Sequence, residues 1–466
     1  MSPAPCPVRV GALLAPAWPA LVFSDVTLNY AQLDARVDGW VRSLSQHGIS
    51  AGDRVAVLSH NSGDLVAVLV ALTRLDVVVF PLNTRLTKDE IDPIMARINA
   101  RWTLCDAAHA SRLRQPLVLD ELRPNDDGPP TPAVVQQEHI GTVVLTSGTT
   151  GIPKGAALQH RAFRVHAAMC AGFLGRSPAH RWLVTMPLFH VGGLSMMWRC
   201  FFSGGTLAVH ARFDAETALE ALLTQGITHA SMVPTTLRRV VLLQRGKRFP
   251  SQVRAILVGG GPVDPAIMDE ARDAGLPAME TYGLTESCSQ ACTQRTPEGH
   301  GAGPPLPGVE IRIVDGVIHL RTPSVMAGYL DQPEATAAML SDGWLATGDL
   351  GTLDERGHLH VFSRRTDLIL RGGENVYPAE VEHLVLSIPG VLDAAVFAAP
   401  DDDLGQVPVA AVVLSSETAV EAVRAAVEPR LARFKRPVAW HVLRELPRNA
   451  MGKLDRARLT RLVQPA

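Results

Sequence analysis

The stretch TSGTTGIPKG occupies residues 146–155 and directly follows the apolar run TVVL. It combines hydroxyl side chains, glycines, one proline and one lysine: Thr146, Ser147, Gly148, Thr149, Thr150, Gly151, Pro153, Lys154 and Gly155. Glycines allow successive backbone N–H groups to turn toward an anion, and hydroxyl and ammonium groups add donors. The spacing is not that of a Walker A loop, which ends in Gly-Lys-Ser/Thr. The stretch therefore predicts a phosphate-binding loop at the end of a strand.

On both sides of this loop, short apolar runs alternate with segments of helical periodicity. The runs that read as strands are RVAVLSHN, VVVFPLN, HIGTVVLTS, RWLVTMP, GTLAVH, THASMVP and VRAILVGG. ARVDGWVRSLSQHG and DLVAVLVALTRL read as helices, because apolar residues recur three and four positions apart. Residues 109–140 are rich in Pro, Asp and Gln and read as a surface linker. Strands that alternate with helices predict α/β layers with parallel strands.

The pattern changes near Gly308. VEIRIVDGVIHLRTP and LGTLDERGHLHVF read as antiparallel hairpins. After Arg364, a Gly-Gly hairpin, the helices PAEVEHLVLSI and AVEAVRAAVEPRLARF, and two strands fit a small independent α+β domain. We therefore expect two domains, residues 1–364 and residues 365–466.

Composition excludes several classes of protein. Of the 466 residues 47% are hydrophobic and 19% charged, so the chain can bury a large core and is not disordered. The formal net charge of −2 gives no global field that would attract nucleic acid. Six cysteines are too few for a disulfide framework, and the sixteen histidines form no metal-binding pattern. The apolar stretches are interrupted by Pro or charged residues, so we expect a soluble protein without a membrane span. The low cysteine content predicts a cytoplasmic location, and a homo-oligomer stays open.

The loop resembles the signature loop of the adenylate-forming superfamily, which includes acyl- and aryl-CoA synthetases, peptide-synthetase adenylation domains and firefly luciferase. Further motifs follow in the family's order and span almost the whole chain. They are Tyr282-Gly283-Leu284-Thr285-Glu286, Thr347-Gly348-Asp349, SRRTDLILRGGENVYPAEVE at 363–382 and PRNAMGKLDR at 447–456. The resemblance implies a large α/β N-terminal domain, layered αβαβα with a distorted β-barrel-like subdomain, and a small α+β C-terminal domain.

The chemistry of the superfamily explains these residue types. A carboxylate attacks the α-phosphate of ATP to form an acyl-adenylate, and two unit charges 4 Å apart repel by about 4 kcal/mol even at an effective dielectric of about 20. Cations and N–H donors must offset this repulsion. The resemblance implies that the loop 146–154 holds the β- and γ-phosphates and that Thr285 contacts the α-phosphate. It also implies that Tyr282 stacks on adenine, that Asp349 binds the ribose with Arg364, and that Glu286 helps to hold Mg²⁺. Lys453 would bridge the attacking carboxylate and the α-phosphate.

The second half-reaction transfers the acyl group to CoA. In the family, the C-terminal domain rotates about a hinge after the ribose-contacting arginine, so that the catalytic lysine leaves the site. The resemblance places the hinge at Thr366 and the hairpin Gly372-Gly373-Glu374-Asn375 beside the pantetheine tunnel. The chain departs from the usual pattern at two positions, with Ser363 in place of Gly and Thr366 in place of Asp or Lys.

The acid is indicated by MPLFHVGG at 186–193 and by the segment after it. The resemblance places His190, Gly260, Gly261 and Gly283 around the acyl and adenine pockets. Arg199 stands in an otherwise apolar helical segment, and a buried arginine needs an anion. An arginine occurs in this context in o-succinylbenzoate–CoA ligases of menaquinone biosynthesis, whose substrate carries a second carboxylate. A guanidinium that reaches the surface would explain Arg199 equally well.

We therefore expect an ATP-dependent, AMP-forming acid–CoA ligase that uses ATP, Mg²⁺ and CoA, with 2-succinylbenzoate as the favoured acid. The alternatives are a CoA ligase for another aryl or medium-chain acid, and a homologue that forms an acyl-adenylate without ligating CoA. A luciferase-like oxygenase shares the same motifs and also stays open.

Overall fold

The computed structural model describes residues 2–146, 154–244, 246, 248–261, 263, 265–364, 367–371, 374–401, 404–431, 433–448 and 454–463. The strands, in chain order, are β1 Ala4–Pro5, β2 Pro19–Phe23, β3 Val26–Asn29, β4 Arg54–Leu58, β5 Val78–Pro81, β6 Trp102–Cys105, β7 Leu117–Val118, β8 Val134–Val135, β9 Ile140–Thr146, β10 Lys154–Gln159, β11 Arg181–Val184, β12 Thr206–Val209, β13 His229–Met232, β14 Ala255–Val258, β15 Ala278–Leu284, β16 Ser289–Thr293, β17 Glu310–Val314, β18 Val317–Arg321, β19 Gly328–Tyr329, β20 Leu340–Ser341, β21 Trp344–Leu353, β22 Leu359–Arg364, β23 Ile369–Arg371, β24 Glu374–Val376, β25 Val391–Asp401, β26 Gly405–Leu414 and β27 Ala439–Val442.

The helices, in chain order, are α1 Pro7–Leu14, α2 Tyr30–Gln46, α3 Gly63–Arg74, α4 Lys88–Ile98, α5 His160–Leu174, α6 Val191–Ser203, α7 Ala215–Thr224, α8 Pro234–Gln244, α9 Pro265–Asp273, α10 Pro333–Met339, α11 Pro378–Leu386, α12 Val420–Val427 and α13 Arg456–Val463. Short 3₁₀ turns lie at Ala107–Arg112, Thr285–Ser287, Glu428–Arg430 and Arg433–Lys435. In the part of the chain that these elements cover, no helix combines the length and the apolar character needed to cross a bilayer.

Two large sheets form the N-terminal part. The first sheet has the order β19-β10-β9-β5-β4-β6-β7, with parallel strands from β9 to β7 and antiparallel ones at β10 and β19. The second sheet has the order β16-β15-β14-β13-β11-β12-β2-β3, with antiparallel strands only at its two edges. This confirms the predicted α/β class with parallel central strands.

The core residues show how the layers are stacked. Along β4, Val55 and Val57 belong to a core shared with α2, α3, α5, α6 and the second sheet, whereas Ala56 and Leu58 pack with α4 on the opposite face. Side chains of a strand point alternately to opposite faces, so a strand that is apolar throughout is covered on both sides. The helices α7, α8 and α9 cover the far face of the second sheet. The predicted αβαβα layering is therefore confirmed.

Local capping interactions set where several helices begin. Asn29 accepts a hydrogen bond from the Gln32 backbone N–H at 2.8 Å, and the Gln32 side chain accepts one from the Asn29 N–H at 3.0 Å. This capping box starts α2 at Tyr30, before the segment predicted from its periodicity. In the C-terminal part, α12 ends at Val427 rather than continuing to Phe434 as predicted. The reason is Pro429, which has no N–H to donate within a helix.

Residues 109–140, predicted to be a surface linker, make backbone hydrogen bonds to other parts of the protein. β7 adds a strand to the edge of the first sheet, and β8 pairs with β1. The Asn125 backbone N–H donates to the Gly39 carbonyl at 3.0 Å. Hydrogen bonds of the backbone, which sequence periodicity does not report, hold this segment in place.

Two antiparallel-rich sheets complete the chain. The third sheet, where the β-barrel-like subdomain is expected, has the order β17-β18-β21-β20 with β22 also paired to β21, and it contains both predicted hairpins. The fourth sheet has the order β24-β23-β26-β25 with β27 parallel to β26, and α11 and α12 pack on it. The fourth sheet with its two helices forms the smaller C-terminal unit, and this unit matches the expected α+β class.

A buried network of ions joins the first three helices. Arg9 of α1 contacts Asp34 at 2.5 Å and Asp38 at 2.7 Å, both on α2. Arg74 of α3 contacts the same two carboxylates, and its side chain has no exposed surface. Two guanidinium groups thus neutralise two carboxylates inside the layer of helices between the large sheets.

Removal of one cation from this network should cost far more than removal of an exposed one. We expect Arg74→Met to lower the free energy of unfolding by about 3–5 kcal/mol, because it leaves buried carboxylates short of positive charge. The control Arg36→Met removes a pair with Asp64 whose side chains are 38% and 42% exposed, and should cost less than about 1 kcal/mol. Denaturant unfolding measures both values, and equal losses would contradict the network's role.

Candidate functional site

The two ends of the predicted phosphate loop lie side by side. Thr146 ends β9 and Lys154 starts β10, and the two residues are direct partners across the antiparallel pair. The Thr146 hydroxyl donates to the Lys154 carbonyl at 3.2 Å. Ser147, Gly148, Thr149, Thr150 and Gly151 lie outside the described residues, as do Ile152 and Pro153. The described ends of the segment therefore lie on adjacent antiparallel strands of the first sheet.

Tyr329 links the loop lysine to the predicted magnesium ligand. β19 pairs with β10, which places the Tyr329 ring 5.1 Å from Lys154 Nζ. The Tyr329 hydroxyl donates to Glu286 Oε1 at 2.6 Å, and Glu286 is only 7% exposed. Lys154 thus lies over the face of the Tyr329 ring, and Glu286 lies at its hydroxyl end. The order of the motifs predicted that Lys154 and Glu286 act at one site. The residue that contacts both of them, Tyr329, was not among those motifs.

The predicted adenosine-binding residues also meet in the structure. The Tyr282 hydroxyl donates to Asp349 Oδ2 at 2.7 Å. Asp349 on β21 is the direct backbone partner of Arg364 on β22, so the two residues predicted for the ribose are neighbours across the strands. Burial and the Asp349 carboxylate raise the pKa of Tyr282 well above its ordinary value. Tyr282 therefore remains a neutral hydrogen-bond donor.

The glycines near this site have distinct physical reasons. A Cβ at Gly283 would lie 1.8 Å from the Ser289 carbonyl oxygen, at the irregularity where β15 turns against β16. Because Gly283 has no side chain, β15 can approach β16 closely at this point. The close approach positions Thr285 and Glu286 in the following 3₁₀ turn. Gly260 has a φ of +84°, a conformation that favours glycine.

His190 caps the start of α6, where its ring lies 4.5 Å from that of Phe189. The turn before it is fixed by Asn61, a residue that the sequence analysis missed. The Asn61 side chain donates to the Met186 carbonyl at 2.9 Å and accepts from the Leu188 N–H at 2.8 Å. One amide from the connection between β4 and α3 thus holds the segment predicted to border the acyl pocket.

Arg199 is a buried cation in α6. It is 3% exposed, so a guanidinium that reaches the surface, one of the two interpretations left open by the sequence, is wrong. Its Nε and Nη1 atoms have no hydrogen-bond partner, and the guanidinium lies 5.0 Å from the centre of the Trp182 ring. Within the described part of the chain, no Asp or Glu oxygen lies within 4 Å of a nitrogen of Arg199. A cation in this state is suited to receive an anion.

The field of Arg199 reaches both the helix beneath it and the motif that contains Glu286. Burial and Arg199 lower the pKa of His166 to about 3. Burial and Cys170 raise the pKa of Cys288, which follows the Glu286 turn, whereas Arg199 acts to lower it. Arg199 therefore lies among neutral side chains, close to the segment that the family resemblance assigns to adenylate formation.

Other predicted residues cannot be placed in the same detail. Lys453, Thr366, Gly372 and Gly373 lie outside the described residues. Glu374 and Asn375 begin β24, which pairs antiparallel with β23 as the predicted Gly-Gly hairpin requires. Gly261 has no atom within 4 Å of the position that a Cβ would take, so open space adjoins it.

Tyr329→Phe tests the link between Lys154 and Glu286. It keeps the aromatic ring near Lys154 and removes the donor to Glu286, so we expect a loss of about 1–3 kcal/mol in unfolding free energy and a roughly tenfold slower adenylation. The matched control is Tyr30→Phe, which removes a buried hydroxyl bonded to the Gly205 carbonyl. It should lower stability without slowing pyrophosphate exchange, and a similar slowing in both variants would contradict the assignment.

Comparison with known proteins agrees with this geometry. The family model described as AMP-binding enzyme matches residues 11–330, and the model described as AMP-binding enzyme C-terminal domain matches residues 380–453. The 2-succinylbenzoate–CoA ligase of Bacillus cereus (strain Q1) is 35% identical, with 97% of each chain covered.

Solved structures give the same relationship. The o-succinylbenzoate CoA synthetase (MenE) of Bacillus subtilis in complex with the acyl-adenylate intermediate OSB-AMP is 35% identical, with a TM-score of 0.91 and 98% of each chain covered. The same Bacillus subtilis enzyme in complex with ATP and magnesium ion is 34% identical, with a TM-score of 0.91, 98% of this chain and 100% of that one. The fold class predicted from the motifs is confirmed, and the chain belongs to the AMP-binding enzyme family, the adenylate-forming superfamily that its motifs resemble.

Proposed function

We propose that this chain is an ATP-dependent acid–CoA ligase that converts 2-succinylbenzoate to its acyl-adenylate and then to its CoA thioester, a step of menaquinone biosynthesis. The names of its relatives confirm the enzyme class and the acid that the sequence predicted, together with ATP, magnesium and CoA. The single observation in this chain that carries the choice of acid is the buried Arg199 without a carboxylate partner.

In the first half-reaction, a carboxylate oxygen of the acid attacks the α-phosphorus of ATP, and pyrophosphate leaves. The loop between Thr146 and Lys154 holds the β- and γ-phosphates, and Thr285 donates to the α-phosphate. Tyr282 packs on adenine while Asp349 accepts from the ribose hydroxyls with Arg364 beside it. The geometry that supports these roles is the hydrogen bond from Tyr282 to Asp349 and the pairing of Asp349 with Arg364.

Glu286 is the residue that would hold Mg²⁺. It fits this ion because a buried carboxylate is a hard oxygen ligand, and because the Tyr329 hydroxyl fixes its orientation. When bound, the ion neutralises negative charge on the phosphates. Lys154 and the N–H groups of its loop add positive charge to the same region, which lowers the repulsion between the acid and ATP.

Arg199 selects the acid. A buried guanidinium without an anion is unfavourable, whereas an acid with a second carboxylate provides the anion on binding. His190 borders the same pocket, positioned by Asn61 through the turn from Met186 to Leu188. Acids with a single carboxylate leave Arg199 unpaired and therefore bind less well.

The second half-reaction uses the C-terminal unit. We place the domain boundary after Arg364, with Thr366 as the pivot, since β22 ends there and β23 already belongs to a different sheet. Rotation removes Lys453 from the adenylate and brings the hairpin with Glu374 and Asn375 toward the pantetheine arm of CoA. The thiol then attacks the acyl carbon, and AMP leaves.

We also propose that the enzyme works in the cytoplasm. All six cysteines are free and buried, which suits a reducing compartment. The sequence left open whether the chain forms a homo-oligomer, and sedimentation analysis would test this.

A panel of acids tests the function and the role of Arg199 together. With ATP, Mg²⁺ and CoA, we expect 2-succinylbenzoate to release AMP and pyrophosphate fastest and to yield a CoA thioester without oxygen uptake. Arg199→Leu should lower kcat/KM for this acid by roughly 30- to several-thousand-fold, which corresponds to about 2–5 kcal/mol. The control acid 4-oxo-4-phenylbutanoate lacks the ring carboxylate and should lose little. Equal turnover of 2-succinylbenzoate by both proteins would favour another aryl or medium-chain acid.

Lys453→Ala separates the two half-reactions. We expect adenylate formation, measured by pyrophosphate exchange, to fall on the order of 100-fold or more, because the variant lacks a cation at the developing charge. Thioester formation from supplied acyl-adenylate should change little. Lys435→Ala, which removes a lysine paired with Glu380 at 2.5 Å, is the control and should affect neither step. Equal loss in both steps for Lys453→Ala would contradict rotation of the C-terminal unit.

A further inference from the structure

A cluster of two histidines and one aspartate lies at the carboxyl ends of β4 and β6 in the first sheet, and one of the histidines, His60, precedes Asn61 in the chain. β4 and β6 are adjacent parallel strands, and Leu58 is the direct partner of Cys105 at their carboxyl ends. His60 follows the first strand and Asp106 the second, while His109 lies in the 3₁₀ turn after Asp106. Two chain segments almost fifty residues apart therefore place three side chains at one point.

Ligand atoms of these three residues converge. One atom from each of His60, Asp106 and His109 can be chosen so that all lie within 4.8 Å of one another. His60 Nδ1 lies 3.2 Å from Asp106 Oδ2, and His109 Nδ1 contacts Asp106 Oδ1. The two imidazole rings lie 4.5 Å apart with a tilt of 54°. Among the described residues, this is the only group of three or more His, Cys, Asp or Glu side chains that converges in this way.

The cluster is held rigidly by the backbone. The His60 N–H donates to Asp106 Oδ2 at 2.9 Å, and the His109 N–H donates to Asp106 Oδ1 at 3.1 Å. The His109 side chain is 2% exposed, whereas that of His60 is 51% exposed. Two ligands are therefore fixed from inside the protein, and the third lies at the surface, where an ion and a water molecule can enter.

The donor set selects the metal. Imidazole nitrogens suit Zn²⁺ and other late first-row ions, whereas Mg²⁺ prefers oxygen ligands alone. Zinc bonds of about 2.0–2.2 Å to nitrogen and oxygen put tetrahedral ligands about 3.4 Å apart, within reach of these side chains by small rotations. We propose that His60, Asp106 and His109 form a site for one Zn²⁺ ion, with water as the fourth ligand.

A purely structural role explains less of the arrangement. Asp106 alone caps the 3₁₀ turn through the His109 N–H, and this needs neither imidazole ring. The exposed ring of His60 nevertheless turns its Nδ1 toward the carboxylate instead of toward water. A zinc ion would cross-link the ends of two neighbouring strands and would so stabilise the folded chain over the unfolded one.

Zinc binding by the whole chain tests the proposal. The protein is prepared without a histidine tag and is first freed of metal. We expect equilibrium dialysis against micromolar Zn²⁺ to give one tightly held ion per chain and a rise in melting temperature. His60→Gln should weaken the affinity at least about tenfold, because it removes one of three protein ligands. This variant keeps the backbone N–H that orients Asp106 and changes an exposed side chain, so the fold should be retained.

His358→Gln is the matched control. The His358 side chain is 37% exposed and lies 3.9 Å from Asp354, which His360 also contacts at 3.4 Å, but ligand atoms of these three residues do not all lie within 4.8 Å of one another. Its zinc affinity should equal that of the unmodified chain. Co²⁺ in place of Zn²⁺ should give the visible absorption of a tetrahedral site in the unmodified chain and lose it in His60→Gln. Absence of a bound ion, or equal affinities for the unmodified chain and His60→Gln, would overturn the proposal.

Discussion

The hydrogen bond from Tyr329 to Glu286 is the contact on which the catalytic side of the molecule depends. It joins β19, the edge strand of the first sheet, to the 3₁₀ turn that follows β15 of the second sheet. The same ring lies beside Lys154. One aromatic residue therefore fixes the separation between a cation of the phosphate loop and a carboxylate suited to a metal. Without a fixed separation, the charges that oppose the repulsion of two anions would not act on the same atom.

The two buried arginines Arg74 and Arg199 differ in whether a carboxylate neutralises their charge. Arg74 shares two aspartates with Arg9, so the charges in that network are balanced. Arg199 is buried to a similar degree and has the face of Trp182 in place of a carboxylate. A cation–π contact attracts the guanidinium but supplies no opposite charge to neutralise it. Under the proposed function, the second carboxylate of the acid would supply the anion that Arg199 lacks among the described residues, which is a physical basis for choosing a dicarboxylic acid.

Much of this organisation could be predicted from the sequence. The loop at 146–155, the order of the motifs and the alternation of strands with helices led to the family, the layers and the residues Tyr282, Glu286 and Asp349. These features are local or have fixed order, so they are visible in one dimension. Tyr329, Asn61 and the group of His60, Asp106 and His109 proposed to bind zinc were missed, because their contacts join residues far apart in the chain. The short 3₁₀ turn after Val427 was missed because one proline outweighed a helical pattern.

The neutral histidines near Arg199 have a consequence for how the enzyme would respond to its environment. His166 and His229 both have a pKa of about 3, for which burial is the main cause and Arg199 a contributor. Protonation of either ring would therefore begin only in strongly acidic solution. At any pH well above 3, both rings are neutral and the guanidinium of Arg199 keeps its positive charge. If Arg199 selects the acid as proposed, discrimination between dianionic and monoanionic acids would then be insensitive to moderate changes of pH, even while other steps of turnover vary.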